Sequence, residues 1–266
     1  MTAVGRRAPA ALRWAILAVT LLSVAAGGLN GSGRWGQSPA EFAADSDRLL
    51  RVAAYAFSIW GPIYLGLLAY AVRGVLPGRT FSALEQRLAL PSLLAVAGIG
   101  LWIVAAAADA ELWTIVLIVG SAVVLVWPLL AHADLARALP ARSAERTLVL
   151  WPLAALAGWL TVAAPVNVLT VAAGDGALPR GVPETAWPLL AVGLAAGAGL
   201  LVTARLRSLA YPIPIAWGLV GVAVAERVRD ADLLSWMAGG GALVVLLGSA
   251  ALAWAPRRAA PSGRGG

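Results

Sequence analysis

Residues 151–171 read WPLAALAGWLTVAAPVNVLTV, a run of 21 positions without one charged side chain. As a helix it rises about 30 Å, the depth of a bilayer's hydrocarbon core. Seven further stretches, 14–28, 52–72, 88–108, 112–131, 187–204, 211–225 and 233–253, are equally free of charge. With 61% hydrophobic and only 12% charged residues, the 266-residue chain has more apolar surface than a soluble core can hide. Backbone groups in lipid must be paired within their own segment, so apolar runs of this length are helices. The expected fold is all-α, a polytopic membrane bundle of about eight transmembrane helices, with 211–225 a short span.

The same composition removes whole classes of chemistry. There is no Cys, so disulfides, thiolate catalysis and iron–sulfur ligation are excluded. A single His132 excludes bis-histidine haem and argues against a His-rich metal site. All 20 basic residues are Arg, and without Lys there is no Schiff-base chemistry. We expect no cofactor and no metal.

The net charge of +7 follows from topology. With the N-terminus in the cytoplasm, segments 1–13, 73–87, 132–146, 205–209 and 255–266 share one side and hold 14 of the 20 arginines. Ten of the 13 acids fall on the other side. This is the positive-inside pattern, and it needs no nucleic acid or other anionic partner. The bilayer itself is the expected surroundings, a bacterial inner membrane, with both termini cytoplasmic. The run 14–28 behind Arg6, Arg7 and Arg13 reads as a retained first helix, although a cleaved signal peptide has the same outline. Residues 30–50 form the longest connection, made irregular by Gly31, Gly33, Gly36 and Pro39.

Polar and aromatic side chains inside the spans are the candidates for function. Trp159, Ala163 and Asn167 lie at i, i+4 and i+8, so one helix face presents an indole, a gap and an amide. Pro165 lacks an N–H and loosens the ladder at Thr161. An amide at that depth needs a partner, which a neighbouring helix, a water or a ligand supplies; the helix is the simpler answer. In 52–72, Trp60 and Tyr64 are one turn apart, beside a softening Gly61-Pro62 pair. Trp102 lies within 88–108. Asp109 and Glu111 read as a tight interhelical turn, not a catalytic carboxylate pair, and His132 as a solvated helix end. Trp-Pro-Leu at 127, 151 and 187 reads as interfacial anchoring.

Two of these motifs resemble a known family. Trp60-Gly-Pro-Ile-Tyr64 is similar to the W-x-x-x-Y of the second helix of tryptophan-rich sensory proteins, the TspO and translocator (peripheral benzodiazepine receptor) family. Trp159-Leu-Thr-Val-Ala163-Ala-Pro-Val-Asn167 resembles the fifth-helix W-x-x-x-A-x-x-x-N, with every spacing intact. The resemblance covers residues 10–173, and the three further spans look like the longer bacterial branch of these proteins. Ala155-Leu156 stand where the family usually has Pro-Tyr, and the family's Trp- and Pro-rich first loop is reduced to Arg34-Trp35 and Pro39.

The resemblance implies a five-helix core over 1–173, a loop at 174–186, a three-helix extension over 187–254 and a disordered cytoplasmic tail at 255–266. It also implies a pocket under the first loop that takes a tetrapyrrole or another flat apolar ligand. Trp60, Tyr64, Trp102 and Trp159 would meet the ring, with Ala163 leaving space and Asn167 bonding a polar edge. The chain would then be a sensory or ligand-binding protein and not an enzyme, with breakdown of a bound tetrapyrrole as a minor variant. A permease for a small hydrophobic or amphipathic molecule is the alternative, and the Gly193-Leu-Ala-Ala-Gly197 stripe would permit a homodimer.

Overall fold

The computed structural model describes residues 9–32, 35–45, 49–179 and 181–254. The tail expected at 255–266 lies outside the described residues, as do Arg6, Arg7, Arg34, Asp47, Arg48 and Arg180. Ten α-helices follow one another: α1 (Ala10–Gly31), α2 (Pro39–Asp45), α3 (Trp60–Val75), α4 (Ala83–Ala107), α5 (Glu111–Ala131), α6 (Ala133–Ala138), α7 (Trp151–Gly174), α8 (Ala186–Leu206), α9 (Pro212–Val228) and α10 (Asp232–Trp254). A 3₁₀ segment, Ala54–Ile59, leads into α3, and a π-turn, Arg146–Leu150, leads into α7. Seven of these helical stretches are long and apolar enough to cross a membrane. The exception among the eight expected spans is α9, whose 17 residues reach only about 25 Å. The protein is a polytopic helical membrane bundle.

Each boundary has a local cause. Ser82 caps α4 by accepting from the Glu85 N–H, while the Glu85 carboxylate accepts from the Ser82 N–H at 2.7 Å. Asp109, with φ of 54°, turns the chain sharply between α4 and α5, so the Asp109/Glu111 pair is a hairpin turn as expected. Pro62 falls in the first turn of α3, where its missing N–H costs little, and the softened turn foreseen at Gly61-Pro62 is the change from 3₁₀ to α-helix. By contrast, Pro165 leaves α7 continuous.

Alternation of the helices gathers the basic connections at one end. There Arg13 donates to the Arg79 carbonyl at 2.9 Å and lies 4.5 Å over the Phe81 ring. Glu85, only 2% exposed, is met by Arg79 at 2.8 Å and Arg73 at 3.3 Å. Ser82 bonds Glu145, and Arg146 reaches the carbonyls of Leu139 and Arg207. These links tie α1, α3, α4 and the π-turn to the end of α8. At the opposite end Glu226, also 2% exposed, accepts from the Arg51 N–H at 2.6 Å and pairs with Arg229 at 3.3 Å.

The centre of the bundle is α7. Its apolar residues are spread around the circumference, as expected of a helix packed against several neighbours. It packs on α2, α3, α5, α8 and α9, whereas α1 packs on α3 and α4, with Ser23 donating to the Val96 carbonyl. Small residues set how closely the backbones approach. A Cβ on Gly158 would overlap the carbonyl oxygen of Tyr211, and one on Gly221 would lie 2.7 Å from the Cβ of Ala56. Backbone cannot give way as a flexible side chain can. Gly158→Ala should therefore lower stability by about 2 kcal/mol or more, a typical overpacking cost. Gly193→Ala on α8, where nothing lies within 4 Å, should be neutral or slightly stabilising. Thermal unfolding of both variants in detergent checks this, and equal transition temperatures would refute the close approach of α7 to Tyr211.

Candidate functional site

Beneath the acidic end, α7 is separated from its neighbours by a partly open cavity of about 50 Å³. Its floor is aromatic. Trp159 is 3% exposed and meets Trp60 and Phe57 edge to face, each with ring centroids 6.1 Å apart. Such T-shaped contacts place a positive ring edge on a negative face. Ala163, one turn above Trp159, supplies the gap that the sequence suggests, and Val162 and Val166 line the wall beside it.

Asn167 takes the place of a clasp. It is 5% exposed; its Oδ1 accepts from the Trp102 indole N–H at 2.9 Å, and its Nδ2 donates to Thr114 Oγ1 at 2.9 Å. Thr114 passes its own proton to the Glu111 carbonyl at 2.6 Å. One donor chain thus crosses from α4 to α7 to α5. Asn167 lines the cavity, yet both ends of its amide are already engaged by helices.

The roof is built by the first connection. Asn30, at the end of α1, donates to the carbonyls of Trp35 and Gln37, both at 2.7 Å. Gly36, with φ of 61°, lies so close to Ala107 that a Cβ there would fall 2.5 Å from its carbonyl oxygen. From this anchor α2 runs over the cavity and inserts Phe42, 4% exposed, edge-on to Trp102 at 5.8 Å. Ser38 and Glu41 bond reciprocally at its start. The Ser38 N–H, and then its hydroxyl, hold the exposed Glu41 carboxyl below its ordinary value, so this cap weakens as the pH falls through that lowered value.

Five of the six residues singled out from the sequence, Trp60, Trp102, Trp159, Ala163 and Asn167, line this one cavity. Tyr64 does not. It stacks on Trp60 at 5.2 Å with an interplanar angle of 25°, and its hydroxyl end packs against Gly27 of α1. One turn along α3 has carried it behind Trp60. Sequence reasoning missed Phe42 and Phe57, which carry no motif, and Thr170, which lies one turn past Asn167. It also missed Gly218.

Gly218 belongs to α9 and brings the last three helices into the site. A Cβ there would fall 2.8 Å from Val162, so only Gly lets α9 close this wall. The strand-like lead into the 3₁₀ segment is clamped on α9 at three points. The Ala53 N–H bonds the Gly221 carbonyl at 3.1 Å, the Trp217 indole donates to the Ala56 carbonyl at 2.9 Å, and Arg51 meets Glu226. These bonds satisfy backbone groups that a 3₁₀ turn leaves open, and they hold Phe57 and Trp60 in place.

If Asn167 is the clasp, Asn167→Ala strands the buried Trp102 indole and loosens Thr114. We expect a loss of about 2 to 3 kcal/mol in stability, read by thermal unfolding in detergent. A variant that melts with the parent would show that the donor chain does not hold the helices.

A search among curated proteins and among solved structures finds no match to the chain. A family model described as TSPO-like protein matches residues 13–251. The match runs from α1 into α10, so it takes in all three helices beyond the two motifs. With the motif spacing on α3 and α7 and a matched region of nearly the whole length, the chain belongs to the TSPO-like family.

Proposed function

We propose that this membrane protein is a ligand-binding or sensory protein that takes a flat hydrophobic ligand of the tetrapyrrole class into the cavity between α2, α3, α7 and α9. The observation that carries the reading is the aromatic enclosure itself, in which Trp60, Trp102, Trp159, Phe42 and Phe57 surround one space. That space, about 50 Å³, is far below the few hundred Å³ of a pocket filled by an organic ligand. A ring must therefore displace a wall. Of these four helices α2, with seven residues, is the shortest wall, and its Phe42 meets Trp102 edge to face.

Among the described residues no carboxylate, imidazole, thiol or amine lines the cavity, which favours binding over catalysis. A permease driven by ions would want ionisable groups at depth, and the buried carboxylates Glu85 and Glu226 instead sit paired at helix ends. The arginine-rich end faces the cytoplasm of a bacterial inner membrane on this reading, and the cavity opens toward the other side.

Protoporphyrin IX titrated into the detergent-purified protein, followed by the pigment's absorbance, should bind saturably in the micromolar range, about −8 kcal/mol. Trp159→Phe, which trims the floor, should weaken binding about three- to tenfold, the worth of one aromatic pair. Linear, identical responses from both proteins would mean that the pigment only partitions into detergent.

A further inference from the structure

Thr170 is 5% exposed and lines the cavity, and its Oγ1 is buried without a hydrogen-bond partner. A threonine hydroxyl on an apolar helix ordinarily turns back to its own backbone. Three others in this bundle do so: Thr20 donates to the Ile16 carbonyl at 2.7 Å, Thr161 to that of Ala157 at 2.8 Å, and Thr114 to that of Glu111. Thr170 forgoes that bond. An unpaired hydroxyl away from water is costly, so its retention on a cavity wall points to an occupant that completes it.

Position along α7 says where that occupant's polar atom must lie. From Trp159 to Thr170 the helix rises about 16 Å, with Ala163 and Val166 between them on the same wall. The aromatic floor is at Trp159 and the roof, α2, is at the Thr170 end. Asn167, the other polar side chain on this face of α7, is committed to Trp102 and Thr114.

We propose that Thr170 is the polar anchor of the site: its hydroxyl bonds an oxygen or nitrogen on the ligand's edge and so orients a flat amphipathic molecule with its polar edge toward α2 and its ring on Trp159 and Trp60. This rests on the ligand-binding reading above and moves the hydrogen-bonding role from Asn167 to Thr170. A hydroxyl both donates and accepts, so carboxylates, carbonyls and ring nitrogens are all admissible.

Thr170→Val keeps the side chain's shape and removes the hydroxyl, and Thr170→Ser keeps the hydroxyl. Both are titrated in detergent with protoporphyrin IX, whose edge carries carboxylates, and with pyrene, a flat ring that has none. Thr170→Val should weaken protoporphyrin IX about three- to tenfold and leave pyrene within about twofold. Thr170→Ser should stay near the parent for both, and Thr170→Val should melt no lower than the parent, since no protein bond is lost. Unchanged protoporphyrin affinity in Thr170→Val, or equal weakening of both probes, would overturn the anchor while sparing the pocket. Failure of the parent itself to saturate with either probe would refute the binding reading and the anchor with it.

Discussion

A buried amide has to be satisfied, and in this protein the answer it finds organises the site. Asn167 lies on a helix packed against five others, and its partners come from two helices beside it. Trp102 and Thr114 are those partners, and the donor chain that results fixes the spacing of α4, α5 and α7 around the cavity. Held by its indole nitrogen, Trp102 offers a fixed ring face on which Phe42 rests, and through Phe42 the roof depends on the same bond. Polar groups in lipid are costly to leave open, which is why one side chain can carry this much of the arrangement.

The last three helices depend on a different constraint, close backbone approach. Gly158 admits the Tyr211 carbonyl, Gly218 admits the Val162 side chain and Gly221 admits the Ala56 methyl, so α9 fits closely against both α7 and the 3₁₀ segment. Once that near, it can offer Trp217 and the Gly221 carbonyl to backbone groups that the 3₁₀ turn does not satisfy. The Tyr211 hydroxyl also meets Thr161 at 2.7 Å, one turn below the level of Pro165. This explains how a 17-residue helix can belong to a membrane bundle. Its environment is largely protein, and hydrogen bonds at both of its ends replace the lipid-spanning length it lacks.

Much of this was legible in the chain because it depends on local period and composition. Seven of the eight expected spans follow from charge-free runs, and the shared face of Trp159, Ala163 and Asn167 follows from i+4 spacing, which α7 keeps through Pro165. The interhelical turn at Asp109 was equally readable. What could not be read was pairing over long sequence distance. Nothing local to Phe42 says that it meets Trp102, and nothing local to Gly218 says that it faces Val162. Tyr64 shows the limit of the period argument itself. It does share a face with Trp60, but a helical side chain leans toward the N-terminal turn, so the two rings stack on each other and Trp60 alone reaches the cavity.

Thr170 lay within reach of the same argument, three residues past Asn167 on the same helix face, and was passed over for a physical reason. A threonine in an apolar helix can satisfy itself on its own backbone, whereas an asparagine cannot do so as readily, so the amide attracts attention and the hydroxyl does not. The structure reverses their standing. Asn167 is paired at both ends of its amide and the buried Thr170 hydroxyl has no partner, so the group with the stronger polarity holds the fold and the weaker one is left, on the proposal above, for a ligand. The division suits a site that must open and close. A ligand that relied on Asn167 would have to break the bond on which Trp102 and the roof depend, whereas one that relies on Thr170 gains a hydrogen bond and leaves the donor chain intact.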